Sequence, residues 1–248
     1  MAQFVDIDTA REFMKESLGK ISPDELDQIC LDLEKKSQRF REILAAERIT
    51  KLSEVELLSV FRLIFSTRRK AQKLIDQYKT GNMRNWIAEL LYDEAAVHHR
   101  LETFCERLDG LETSLRYDLA SELLHFIDPE KYWLWTRWIW DPKTQTGSLP
   151  LVITEDYDLK ATTLGETYLK VGKAMAFVRH VGEAAEFEVI RSGFFGVDAY
   201  LCCVYIVYVY TVLRMRMTQE FNKVMPGLPE FSKRLLGIHK LEERKHAS

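Results

Sequence analysis

Residues 199–213 read Ala-Tyr-Leu-Cys-Cys-Val-Tyr-Ile-Val-Tyr-Val-Tyr-Thr-Val-Leu, fifteen positions without a charge, with Asp198 before them and Arg214 and Arg216 behind. A bilayer span needs about 20 apolar residues, and every tyrosine inside such a run needs a polar partner. This run is too short and too polar to span. Val, Ile and Tyr are strand formers, but the run is long for a strand, and helical spacing continues through Met217, Phe221 and Val224. A helix that is apolar on all sides is wrapped on all sides. The run therefore predicts a buried central helix over about 198–225 and, around it, a mainly α, multi-helix, bundle-like protein.

Helix signals also dominate the chain before this run. Ser22-Pro23-Asp24-Glu25 places an N-cap, a proline at the first helical position and a capping glutamate in register, opening a helix to about Ala46. Ser53-Glu54-Val55-Glu56 is a second capping box, opening a helix to about Tyr78. These two helices suit an antiparallel hairpin within residues 1–80, packed on 81–240. Gly81-Asn82 precedes a helix over 82–108, and Thr113 opens one that ends near Asp128-Pro129. Thr163-Leu164-Gly165-Glu166 opens another, with Leu164, Tyr168, Val171, Met175 and Val178 as its seam. The helical pattern breaks at 141–163. There Thr144, Thr146, Gly147, Ser148 and Pro150 signal a turn and Leu151-Val152-Ile153 a short strand, a small irregular or β insertion. Pro226-Gly227-Leu228-Pro229 ends the long helix before a short amphipathic one. A chain of 248 residues fits one large domain or two small ones. The pattern favours a single helical domain with a flexible tail at 241–248.

A net charge of −3 gives no global attraction to nucleic acid or anionic lipid. Residues 214–248, with eight Lys/Arg against four Asp/Glu, read as a solvated basic end. Cys30, Cys105, Cys202 and Cys203 form no Cys-x-x-Cys pair, and the acidic N-terminus has no apolar signal segment. Reduced thiols and a cytoplasmic location follow as expectations. The vicinal Cys202–Cys203 pair reads as buried small apolar side chains rather than as a redox disulfide. The sequence has no Gly-rich phosphate loop, no G-x-S-x-G, no H-E-x-x-H and no Cys/His zinc spacing.

Three constellations are candidates for function. On a helical wheel Trp86, Ile87, Leu90, Leu91, Val97, Leu101, Phe104, Cys105 and Leu108 share an arc of roughly 140°. Glu94 falls near its middle and His98 toward its edge. Glu122-Leu123-Leu124-His125 follows on the next helix, and Glu-x-x-His is half of the signature of carboxylate-bridged di-metal bundles. Glu94, His98, Glu122 and His125 are thus candidate ligands for iron or manganese. The competing reading is a structural Glu94–His98 pair. Glu89, Glu166, Glu183 and Glu186 are further carboxylates, and a second Glu-x-x-His, Glu243–His246, lies near the C-terminus.

The second constellation is aromatic. Trp133, Trp135, Trp138 and Trp140 are four of the five tryptophans, with Arg137 among them. Such clusters make partner surfaces or stacking platforms, or else fill a core. The third is Leu108-Asp109-Gly110-Leu111 followed by Ala120-Ser121-Glu122-Leu123-Leu124-His125-Phe126-Ile127-Asp128-Pro129. Over about residues 108–141 this resembles the hairpin and following helix of helix-hairpin-helix DNA glycosylase-like domains. The resemblance implies phosphate contact by backbone N–H groups of the hairpin. The chain departs from the family at Glu112, where the second hairpin glycine belongs. It has no lysine at the nucleophile position, and the family's aspartate has no counterpart unless it is Asp141. From the sequence we expect a non-catalytic accessory protein that binds another protein or itself. A metal-dependent oxidoreductase and a nucleic-acid-binding protein are the alternatives.

Overall fold

A computed structural model describes residues 4–185, 187, 193–216, 226–239 and 241. The described residues form α1 Ile7–Leu18, α2 Pro23–Ile43, α3 Glu54–Phe61, α4 Ala71–Tyr78, α5 Thr80–Tyr92, α6 Val97–Arg107, α7 Thr113–Ile127, α8 Leu164–Ala184, α9 Gly196–Arg216 and α10 Leu228–Leu235. Among them no strand forms, only the isolated bridges Val5–Ile153 and Asp141–Thr146. The protein is mainly helical. No helix among the described residues is long and apolar enough to cross a membrane. Met217, Phe221, Val224 and the expected helix end near Met225 lie outside the described residues, as do Glu186, Glu243, His246 and the 242–248 tail.

By Cα proximity the chain divides into two compact units. The first comprises Met1–Leu33, Trp138–Asp158 and Ala174–Ser248, the second Glu34–Arg137 and Leu159–Lys173. In the first unit α9 is buried from Val197 to Val204 and again at Ile206, Val207 and Tyr210. α1 and α10 pack against it. Two of its tyrosines reach backbone: the Tyr200 hydroxyl donates to the Ala10 carbonyl at 3.0 Å, and the Tyr210 hydroxyl donates to the Pro226 carbonyl. Cys202 and Cys203 are buried on α9, and Cys30 is buried on α2. Helix α1 has a clear local cause, because Asp6 caps it by accepting from the Thr9 N–H at 3.1 Å.

The expected strand at 151–153 does not form. Pro150 instead enters a short 3-10 turn, Leu149–Leu151, and Ile153 makes a single bridge to Val5. Proline has no N–H to extend a ladder. Gly147 is required here: its φ is +148°, and a Cβ on it would lie 2.2 Å from the Ile139 carbonyl oxygen.

Two expected helices of the second unit are interrupted. The capping box at Ser53 forms, with Ser53 Oγ accepting from the Glu56 N–H at 3.2 Å and Glu56 accepting from the Ser53 N–H at 2.8 Å. The helix it opens stops at Phe61 rather than continuing to Tyr78. There the buried Thr67 hydroxyl donates to the Phe61 carbonyl at 2.7 Å and replaces the next helical bond. The segment expected as one helix over 82–108 is α5 and α6 with a loop at 93–96. Asp93 turns the chain, its carboxylate accepting the Ala95 N–H at 2.7 Å.

Candidate functional site

Helix α7 is buried at every position from Ser114 to Phe126 except Arg116. Polar residues on any of its faces therefore lie in the interior and need partners. Asp118, Ser121, Glu122 and His125 are four of them, and all but Glu122 hold the segment Tyr132–Arg137. This segment has no sheet partner for its backbone. His125 Nδ1 lies 2.7 Å from the Tyr132 carbonyl oxygen. Ser121 Oγ accepts the Trp135 N–H and donates to the Trp133 carbonyl at 3.4 Å. Asp118 accepts the Arg137 N–H at 2.8 Å and its Nε–H at 3.0 Å. One helical turn rises about 5.4 Å and two extended residues about 6.6 Å, so the two can run antiparallel in step.

Glu122 turns instead to Lys36 of α2, whose Nζ donates to it at 2.8 Å. That ammonium also lies 3.9 Å from the centre of the Phe126 ring. Burial raises the Glu122 carboxyl, opposed by the adjacent Lys36. Burial likewise pushes Asp118 up to about 7 against the pull of Arg137.

The metal candidates are consequently not assembled. Glu94 is exposed in the 93–96 loop, not in an apolar helical arc, because the helix is interrupted at Asp93. His98 is half-buried with its ring 4.0 Å from that of His99. Glu122 and His125 already hold Lys36 and the Tyr132 carbonyl. Among the described residues no group of three or more His, Cys, Asp and Glu side chains is placed to hold a metal ion.

The tryptophan cluster is mostly interior. Trp135 is fully buried and stacks on Tyr117, ring centres 4.1 Å apart and planes 4° apart. Trp138 and Trp140 are buried in the first unit. Only Trp133 and Arg137 of the set are partly exposed, and Trp133 lies against Gly172 of α8. In the turn between α6 and α7 the Arg116 Nε–H donates to the Leu111 carbonyl at 2.8 Å. A Cβ on Gly110 would meet the Gln77 side chain at 2.4 Å, so that glycine is covered by α4.

One feature of the second unit escaped the sequence reading: an open pocket of about 130 Å³ between α5 and α6. Trp86, Glu89 and Leu90 line it from α5, and His99, Arg100, Thr103, Phe104 and Arg107 from α6. At its edge Arg107 pairs with Glu89 at 2.5 Å. Arg100 is only 8% exposed. The early end of α5 explains its position. Asp93 N–H makes the last helical bond, to Glu89, and the Leu90 carbonyl instead accepts from Arg100 at 2.6 Å. A second Arg100 nitrogen donates to the Tyr132 hydroxyl at 2.9 Å, while its Nε finds no partner. Its charge has no carboxylate within 4.0 Å among the described residues. No family model matches the chain, and neither a curated protein nor a solved structure does.

Proposed function

We propose that this chain is a non-catalytic accessory protein that acts by binding, and that the α5–α6 pocket is its binding site. One observation carries the reading: a buried arginine without an anionic partner forms part of the wall of a pocket open to solvent. A buried charge normally has a counter-ion, and its absence in a pocket wall points to an occupant. The buried acid–base groups of α7 support a non-catalytic reading, since Asp118, Glu122 and His125 each hold a structural partner. The partner surface expected on the tryptophans moves to this pocket, because Trp135, Trp138 and Trp140 are buried.

A fragment screen by ligand-observed NMR tests this. Thr103 is exposed at the pocket, so Thr103→Trp fills the opening without touching the partners of Arg100. Fragments that bind the wild-type chain are expected to lose their signal with Thr103→Trp while the far-ultraviolet circular dichroism stays unchanged. A screen without hits, or hits indifferent to this substitution, overturns the reading. Stoichiometric iron or manganese on untagged protein would favour the oxidoreductase instead, and salt-sensitive retention of a short duplex the nucleic-acid reading.

A further inference from the structure

We infer that the α5–α6 pocket takes a small organic carboxylate, with the anionic group on Arg100 and the apolar body against Trp86; this rests on the pocket being the binding site. Of the acidic groups at the pocket, Glu89 is engaged by Arg107 at 2.5 Å. Asp93 is exposed and accepts the Ala95 N–H at 2.7 Å. Neither neutralises Arg100, so the missing partner is an anion.

Geometry narrows the anion. A guanidinium carries five donors in a planar fork that matches the two oxygens of a carboxylate. Arg100 makes two hydrogen bonds, to Leu90 and Tyr132, and its Nε–H is unpartnered. Helix α6 adds positive potential at the same end. It begins after Ala96 without a side-chain cap and has no acidic residue in its first turn, and Arg100 lies one turn in. The apolar part of the wall is the half-buried Trp86 indole, Leu90, Ala95 and Phe104, and it lies beside the polar His99, Thr103 and Arg107. A volume of about 130 Å³ holds one ring or a short chain.

Benzoate is the probe, with benzamide as its neutral isostere and inorganic phosphate as the competing anion. Each is titrated into the full chain while the Trp86 indole N–H is followed by NMR, assigned through Trp86→Phe. Benzoate is expected to give a saturable shift at least tenfold tighter than benzamide or phosphate. Arg100→Gln is expected to weaken benzoate at least tenfold and to leave benzamide unchanged. If that variant does not fold, Thr103→Trp serves, abolishing the benzoate shift with unchanged circular dichroism. Equal binding of benzoate and benzamide overturns the carboxylate inference and leaves the binding reading standing. Tighter binding of phosphate does the same. No response to any probe overturns this inference, and the binding reading falls only with a fragment screen that is blank or indifferent to Thr103→Trp.

Discussion

Lys36 and Glu122 form the most consequential pair in the second unit. Both are buried, and each is the other's counter-ion at 2.8 Å. Removing one leaves a charge in the interior, a loss of about 3–5 kcal/mol, whereas replacing both with apolar side chains is often neutral. Lys36→Met is expected to lower the unfolding free energy, read from urea titration, by that amount, and Lys36→Met with Glu122→Leu to recover most of it. Additive losses would show the pair to be energetically unlinked. Asp118 carries a pH signature. Its folded carboxyl titrates at about 7, above the usual value of about 3.9. The folded state thus holds this proton more tightly. Asp118's contribution is full below about pH 4 and lost as pH rises through about 7. Glu122, also raised, acts in the same direction. Between pH 5 and pH 8 the wild-type urea midpoint is expected to fall more than that of Asp118→Asn; equal falls would mean an ordinary Asp118. Sequence drew attention to Glu94 and passed over Arg100, which sits one turn before Phe104 on the inner side of α6. An arginine beside an apolar stripe reads as a rim residue, since its stem can lie on apolar surface while its head stays in water. The carbonyl freed at Leu90 and the Tyr132 hydroxyl turn the head inward.

The helix starts marked by a serine capping box were legible; α1, which opens at Asp6, and the helix breaks were not. The boxes at Ser22 and Ser53 form, because a cap is a local device written within four residues. The breaks at Phe61 and Tyr92 depend on Thr67 and Asp93, whose hydroxyl and carboxylate take backbone groups that nothing nearby in sequence marks out. Glu94, Ala95 and Ala96 are good helix formers, so the wheel ran through them. The glycines of α5 and α8 give a test at this scale. A Cβ on Gly165 would lie 2.5 Å from the His98 carbonyl oxygen, whereas one on Gly81 would meet nothing within 4 Å. Propensity alone favours alanine at both by up to about 1 kcal/mol. Thermal melts are expected to show Gly81→Ala neutral or stabilised. Gly165→Ala is expected to be destabilised, because overpacking against backbone costs roughly 1–3 kcal/mol. A stabilised Gly165→Ala would mean that α8 can shift away from α6.

The helical class of the molecule was legible from the uncharged run at 199–213, and the burial of its positions 199–204, 206, 207 and 210 on α9 fits its lack of charge. The pocket and the α7 ladder were not, since both join residues set by long-range packing rather than by spacing. The four thiols lie buried on both sides of the division, Cys105 in the second unit and Cys30, Cys202 and Cys203 in the first. Burial raises Cys105 strongly, Cys202 well above its ordinary value and Cys203 to about 12, so these three offer almost no thiolate to an electrophile in the closed molecule. Alkylation must wait for an opening. The chain thereby carries its own recorder of partial unfolding: a label on Cys105 alone dates an excursion of one unit, and labels on the other three date an excursion of the other.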